Sequence, residues 1–315
     1  MTDQLSPGGL GRIGTPFVAR VGYGAMQLDE KVSTDDAIAV LRRAVELGVN
    51  HIDTASFYGG GEVNHRIRKA LAPYRDELVI VSKVGAAYTG VGPVPLTAAQ
   101  KPAELRAAVE NDLRQLGLDT VPVVNLRRYD LGPAAAPEGD QNVDLDDQLA
   151  EMIALRDEGK IAAIGISSVG LEVLQRALPA GIVCVQNAYS LLDRTQEDAL
   201  DFCADEGIAW VPYFPLGSAF PGFPKVSDNA VVREIADEAG VTPAQIGLAW
   251  LLTTSANTLL IPGTGSIGHL EENMKVADIV LSDDAVARLD AITAPGQGPD
   301  YAASLREAFR QAPAT

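Results

Sequence analysis

The sequence predicts an α/β protein folded as one (β/α)8 barrel over residues 1–315, with an N-terminal hairpin and extra C-terminal helices. Three observations predict it. Short, nearly all-apolar, β-branched runs recur eight times, amphipathic helical patterns alternate with them, and no change of composition divides the chain. Continuous hydrophobicity suits parallel strands covered on both faces. Regular strand-helix alternation at this length favours one barrel over two doubly wound domains.

The predicted strands are Arg20–Met26, His51–Ala55, Val79–Val84, Val121–Arg127, Ile161–Ser167, Ile182–Tyr189, Ile208–Pro215 and Thr258–Gly263. The clearest helix is Thr34–Leu47, with Asp35 and Asp36 in the first turn, where carboxylates suit the dipole, and Gly48 at its end. Glu62–Ala70, Pro102–Leu116, Asp144–Glu158, Leu171–Leu178, Gln196–Glu206 and Pro243–Leu252 read the same way. Ahead of the first strand, Leu10–Val18 suits a hairpin plugging one end of the barrel. Asp283–Ala291 and Tyr301–Arg310 read as added helices. The long Gly/Pro-rich stretches Ala86–Lys101, Leu131–Val143 and Gly217–Asn229 each follow a strand, which places them at the carboxyl ends where barrels carry their chemistry.

Composition narrows the function. With 315 residues, 47% hydrophobic and 21% charged, the chain can bury a sizeable core. Its 42 acidic and 25 basic residues leave a net charge of −17, which repels phosphate backbones and anionic membranes. The expected partner is a small molecule rather than nucleic acid or membrane. Cys184 and Cys203 form no C-x-x-C motif, and Cys184 sits in an apolar run that suits a buried hydrophobe. Met1–Arg12 lacks an apolar core of signal length and no apolar run reaches 18 residues, so a cytoplasmic location is expected. His51, His65 and His269 show no metal-binding spacing, and no metal is expected.

The chemistry concentrates in His51-Ile52-Asp53-Thr54-Ala55-Ser56-Phe57-Tyr58-Gly59 and in Val79-Ile80-Val81-Ser82-Lys83. A carboxylate ends one apolar strand, a tyrosine follows five residues later, and a lysine ends the next strand. A lysine there must meet a counter-charge or lose its proton, and Asp53 is the nearest partner. The trio reads either as a barrel-mouth ion pair with a surface tyrosine nearby, or as a proton-donating phenol tuned by an adjacent ammonium that favours its phenolate. Two G-x-G-x-x-G matches differ in context. Gly9–Gly14 precedes Thr15-Pro16 and no helix, whereas Gly263–Gly268 leaves a strand and opens a helix near His269. No further βαβ unit follows, so a Rossmann domain is excluded, but a helix N-terminus there suits a phosphate.

The D-x4-Y pattern, the strand-terminal lysine and the barrel around them resemble the aldo-keto reductase superfamily. Ala163-Ile164-Gly165-Ile166-Ser167-Ser168, Val185-Gln186-Asn187-Ala188-Tyr189, Tyr213-Phe214-Pro215-Leu216-Gly217 and Leu260-Ile261-Pro262-Gly263-Thr264, with Glu272-Asn273, match its strand-end motifs in order over nearly the whole chain. The resemblance implies three catalytic positions at Asp53, Tyr58 and Lys83. The fourth departs: Asn125-Leu126-Arg127-Arg128 carries Arg127 where the family usually has histidine. Arginine stays protonated and cannot shuttle a proton, but it can donate to an oxyanion or an anionic substrate group. A purely structural salt bridge is its other reading. That motif, with Ile182–Asn187 and Val211–Gly217, is similar to a bacterial pyridoxal reductase-like branch.

The same resemblance implies NADPH, with NADH an option because Thr264, Ser266 and His269 stand where Lys or Arg often reads the 2′-phosphate. It places cofactor contacts at Gly24, Ala25, Met26, Asp53, Ser167, Ser168, Gln186, Tyr213, Phe214, Pro215, Leu216, Gly217, Ser218, Gly263, Thr264, Gly265, Ser266, His269, Glu272 and Asn273. Ser168 stands where the family usually has asparagine. Tyr88 and Arg128, with Tyr129 and Phe220, are candidate substrate-side residues. The implied activity is reduction of a small aldehyde or ketone, with pyridoxal the leading guess. A cofactor-binding sensor with little catalysis and an alcohol or sugar dehydrogenase are the alternatives.

Overall fold

Seven of the eight apolar runs of the sequence land in strands of one parallel sheet. In the computed structural model, which describes residues 7–91, 95–131, 137–217 and 224–292, β1 (Leu10–Arg12) and β2 (Phe17–Ala19) pair antiparallel. The parallel sheet starts with β3 (Tyr23–Gly24), β4 (His51–Asp53) and β5 (Val79–Val84). A separate antiparallel pair, β6 (Ala86–Tyr88) and β7 (Leu96–Ala98), interrupts it. The sheet then continues through β8 (Val121–Arg127), β9 (Ile161–Ser167), β10 (Ile182–Gln186) and β11 (Ala209–Trp210). These seven strands neighbour one another in chain order.

The segment predicted as a strand over Thr258–Gly263 forms isolated parallel bridges instead, Thr258 with Trp210 and Leu260 with Val21. The amide of Leu259 donates to the Trp210 carbonyl at 2.8 Å, and the Gly22 amide donates to the Leu260 carbonyl at 2.8 Å. The two sheet edges are thereby linked and the sheet curls into an α/β barrel-like fold. β11 and this segment are shorter than the sequence predicts because Pro212, Pro215 and Pro262 have no N–H to give a ladder.

Side-chain alternation then decides what faces inward. Val79 and Val81 join Val123, Cys184, Ala209, Leu259 and Ile261 in an inner cluster, with Ile13 and Val18 beside them. Ile80, Val84, Val124, Leu126, Ile164 and Val185 belong to the larger cluster under the helices. By the two-residue period, Lys83, Asn125, Arg127, Gly165, Ser167 and Gln186 share the inner face. Gly165 is required there, since a Cβ would lie 2.0 Å from the Asn125 Oδ1.

The helices are α1 (Thr34–Glu46), α2 (Glu62–Leu71), α3 (Pro102–Leu116), α4 (Leu145–Asp157), α5 (Leu171–Ala177), α6 (Glu197–Asp205), α7 (Ala230–Ala239), α8 (Pro243–Thr254), α9 (Ile267–Met274) and α10 (Asp283–Asp290). Ser33 caps α1 by accepting from the Asp36 amide, and Thr242 with Gln245 makes a reciprocal cap on α8. Sequence reading misses α7, although Asn229 caps it by accepting from the Val231 and Val232 amides. It also misses β6 and β7, which lie in a stretch read as loop. The predicted helix Tyr301–Arg310 lies outside the described residues. Among the described residues no helix is long and apolar enough to cross a membrane.

Candidate active site

The carboxyl ends of β4, β5, β8, β9 and β10 converge because of the sheet register. Gly24 sits beside Asp53, Lys83 beside Asn125, and Ser167 beside both Arg127 and Gln186. Asp53 is 3% and Lys83 6% exposed, and they form a direct ion pair. The Lys83 ammonium also donates to the Thr54 carbonyl at 3.2 Å. The second Asp53 oxygen, Oδ2, accepts from Gln186 Nε2 at 2.6 Å. Both carboxylate oxygens are therefore engaged, which keeps a buried charge compensated.

Tyr58 arrives from a tight turn after β4, where its amide donates to the Ala55 carbonyl at 3.1 Å. Lys83 Nζ lies 5.1 Å from the centre of its ring. Burial alone would lower the Lys83 ammonium, but Asp53 and then Tyr58 outweigh it and hold the ammonium above its ordinary value. Burial pushes the Tyr58 phenol up; Lys83 pulls it back, Asp53 adds to the rise, and Arg127 opposes it. The net direction is upward. The ammonium does favour the phenolate, as the sequence leads one to expect, but burial of the phenol, which only the fold reveals, outweighs it. Tyr58 is thus a fully protonated donor held against a cation that stabilises the anion it leaves behind.

Arg127 ends β8 with its guanidinium 4.3 Å from the centre of the Tyr129 ring. No carboxylate among the described residues lies within ion-pair distance, and its Nη1 is sealed from solvent without a hydrogen-bond partner. The fixed salt bridge expected of a structural arginine is absent from the described residues. Arg128 behaves oppositely: its fork grips Asp130 at 2.7 and 3.1 Å and also reaches the Gln148 side chain. That leaves little of it for a substrate. Tyr88 is 39% exposed beside the mouth.

Several residues expected at a cofactor seat come together. Ser168 has a positive φ of 62°, and its hydroxyl is 3.1 Å from the Tyr213 hydroxyl and 3.5 Å from that of Ser167. Gln186 Oε1 is buried with no partner among the described residues, an acceptor left unsatisfied. Tyr213 and Phe214 stand edge to face at 5.1 Å, and Gly217 closes the next turn with Leu216 and Pro215. Gly24 approaches the Ile261 carbonyl so closely that a Cβ would lie 2.5 Å from it, with Ala25 and Met26 following. Tyr23 donates to the Thr264 carbonyl at 2.5 Å, which ties the loop of Gly263, Thr264 and Gly265 to the first strand. Ser266 caps α9 by accepting from the His269 amide, leaving the helix N-terminus at the surface. Glu272 is tied away by the Thr242 hydroxyl at 2.8 Å, and Asn273 follows it in α9. Ser218 and Phe220 lie outside the described residues.

A model of the aldo/keto reductase family matches residues 20–294. The chain belongs to this family. Pyridoxine 4-dehydrogenase of Escherichia coli (strain K12) is 43% identical over 293 residues, 89% of this chain and 97% of the relative. An uncharacterized oxidoreductase of Schizosaccharomyces pombe is 35% identical over 296 residues, 91% of this chain and 90% of that one. The crystal structure of an aldo/keto reductase from Klebsiella pneumoniae in complex with NADP and acetate superposes with a TM-score of 0.75 at 28% identity, over 93% of this chain and 98% of that chain. The chain is accordingly an oxidoreductase of the aldo/keto reductase family.

Two supports of this aldo/keto reductase site are invisible to motif reading. Gln100 donates to the Gly85 carbonyl at 2.5 Å and the Arg127 carbonyl at 2.9 Å, pinning the ends of β5 and β8 together. Behind the sheet, Asp112 accepts from Ser82 at 2.7 Å and Asn64 at 2.8 Å, while Asn64 accepts from Thr54 at 2.7 Å. Thr54 and Ser82 adjoin Asp53 and Lys83. The only sequence signal is polar side chains, Asn64, Asp112 and Gln115, on the inward faces of two amphipathic helices.

Proposed function

We propose that this aldo/keto reductase is a cytosolic, single-domain, NADPH-dependent carbonyl reductase whose leading substrate is pyridoxal. In this reading residues 258–263 act as the eighth stave of the barrel and the β1–β2 pair closes its floor. The observation that carries the proposal is the buried Lys83 ammonium, paired directly with Asp53 and seated 5.1 Å from the centre of the Tyr58 ring. The name of the 43% identical relative supports the substrate, since pyridoxal is the aldehyde formed when pyridoxine is oxidised at its 4-position.

The residues fit a nicotinamide cofactor. The unpaired Gln186 Oε1 and the Ser167 and Ser168 hydroxyls suit a carboxamide, Tyr213 suits stacking on its ring, and the α9 N-terminus suits a phosphate. When bound, the cofactor supplies the hydride. Tyr58 donates its proton to the carbonyl oxygen as the carbon is reduced. The phenolate left on Tyr58 is held by Lys83, whose own charge Asp53 maintains, and is within the field of Arg127. Proton return from solvent resets Tyr58. The complete trio favours catalysis over a sensor that only holds the cofactor.

Tyr58→Phe removes the proton donor and keeps the ring. Turnover of NADPH with aldehydes at 340 nm is expected to fall by more than about 100-fold, within the range general acid catalysis supplies. Cofactor binding, read by quenching of intrinsic fluorescence, is expected to survive. Near-normal turnover in that variant would refute the assignment.

A further inference from the structure

Thr54, Asn64, Ser82, Asp112 and Gln115 form a polar hub between the sheet and helices α2 and α3, the first four fully buried and Gln115 nearly so. Asn64 is its centre. Its Oδ1 accepts from the Thr54 hydroxyl at 2.7 Å, and its Nδ2 donates to Asp112 Oδ1 at 2.8 Å and to Gln115 Oε1 at 2.9 Å. The other Asp112 oxygen, Oδ2, accepts from the Ser82 hydroxyl at 2.7 Å. Asp112 and Gln115 stand three residues apart on α3, which puts both on the face that meets Asn64. Among the described residues, no buried side-chain polar atom of the hub lacks a partner.

Each arm of the hub ends on a different segment of the site. Thr54 directly follows Asp53, and its carbonyl accepts from the Lys83 ammonium at 3.2 Å. Ser82 directly precedes Lys83 and points to the opposite face of β5. Gln115 packs against Gly61, the last residue of the turn that begins at Tyr58. A Cβ at Gly61 would lie 2.1 Å from Gln115 Nε2, and its φ is 100°. The segments carrying Asp53, Tyr58 and Lys83 thus meet at one pair of side chains, Asn64 and Asp112. Stability does not account for this arrangement. Among the described residues no cation pairs with Asp112, and a buried carboxylate costs desolvation that an apolar side chain of the same volume avoids. A fully satisfied network instead selects a single arrangement, because hydrogen bonds have direction and apolar contacts have none.

We infer that Asn64 and Asp112 are positioning residues for proton transfer, holding the segments of Asp53, Tyr58 and Lys83 at the spacing from which the phenol delivers its proton. This rests on the carbonyl reductase reading and adds the residues that aim its proton donor. The hub lies on the helix side of the sheet and acts through the backbone of the three segments. The 5.1 Å between the Lys83 ammonium and the centre of the Tyr58 ring is the separation it maintains.

The test measures single-turnover oxidation of bound NADPH by pyridoxal and by 4-nitrobenzaldehyde, in water and in deuterium oxide, beside KM and the NADPH dissociation constant. Asn64→Leu removes every hydrogen bond of the centre and should lower the single-turnover rate by about 10- to 100-fold, as a misplacement on the order of 1 Å does. KM and the NADPH dissociation constant should stay within about threefold of wild type, since only the transition state loses an interaction. The solvent isotope effect should rise, because it is delivery of the proton that is disturbed. Asp112→Leu should behave like Asn64→Leu, whereas Asp112→Asn keeps both hydrogen bonds and should hold the rate within about threefold. Thr54→Val and Ser82→Ala each remove one hydrogen bond and should cost about 3- to 10-fold, which decides the matter even if the leucine variants fail to fold. A wild-type rate in Thr54→Val and Ser82→Ala, a rate loss matched by a rise in KM or in the NADPH dissociation constant, or an unchanged solvent isotope effect overturns the inference and leaves carbonyl reduction standing. Failure of the wild type to oxidise NADPH with any aldehyde overturns both.

Discussion

Asp112→Asn should change the pH dependence of stability more than stability itself. Asp112 is fully buried behind β5, where its carboxylate accepts from Ser82 at 2.7 Å and Asn64 at 2.8 Å. Burial pushes its carboxyl up from 3.8 to about 7, against the pull of those two hydrogen bonds and the Lys83 charge. The unfolded chain releases the same proton near its ordinary value. Between the two, the folded state binds more protons, so its stability is greatest below the unfolded value and is lost as pH rises toward about 7. Each pH unit removes about 1.4 kcal/mol, or about 4 kcal/mol over the whole interval. Asparagine cannot titrate, still accepts from Asn64 through its oxygen, and can donate to the Ser82 oxygen. Urea unfolding of both proteins at pH 5, 6, 7 and 8 is the assay. The variant's stability relative to wild type should rise by about 3 kcal/mol from pH 5 to pH 7 and then level off. Buried His51 acts in the opposite sense, its imidazole lowered to about 4 by burial, so stability is lost as pH falls from its unfolded value through about 4. That contribution is common to both proteins and cancels in the difference. A difference that stays constant from pH 5 to pH 8 would refute the buried-carboxyl reasoning.

Gly165→Ala should destabilise by about 1–3 kcal/mol or more, because its Cβ would lie 2.0 Å from Asn125 Oδ1 and 3.0 Å from the Cys184 carbonyl in a packed interior. Thermal melts read it, and an unchanged midpoint would contradict the interior packing. Cys184 and Cys203 should both resist a thiol-specific reagent in the native state and react on unfolding. Both are buried, which pushes the Cys203 thiol up to about 12 and the Cys184 thiol higher still. Rapid labelling of either in the native protein would contradict their burial.

How much was legible before folding depends on the range of the signal. The strands β5, β8 and β9 match the sequence reading because each is a mostly apolar run of six or seven residues broken by few polar side chains. The stretch Thr258–Gly263 was legible as apolar but not as isolated bridges, since its proline limits pairing only once neighbours are in place. α7 escaped because it directly follows a Gly/Pro-rich loop whose composition dominated the window, although its own cap was local. Asp53, Tyr58 and Lys83 were singled out from spacing and resemblance, and the register then brought their strands together.

By itself the sequence determined the succession of strands and helices, the acidic surplus, and the residue types at the strand ends, because each is set by local pattern or by composition. Only tertiary structure decided the protonation and pairing of those residues. Burial outweighs the neighbouring ammonium at Tyr58, and among the described residues Arg127 meets no carboxylate while Arg128, one residue on, meets Asp130. Dielectric surroundings and distances between remote segments exist only after the chain has closed on itself, so no local pattern can encode them in readable form.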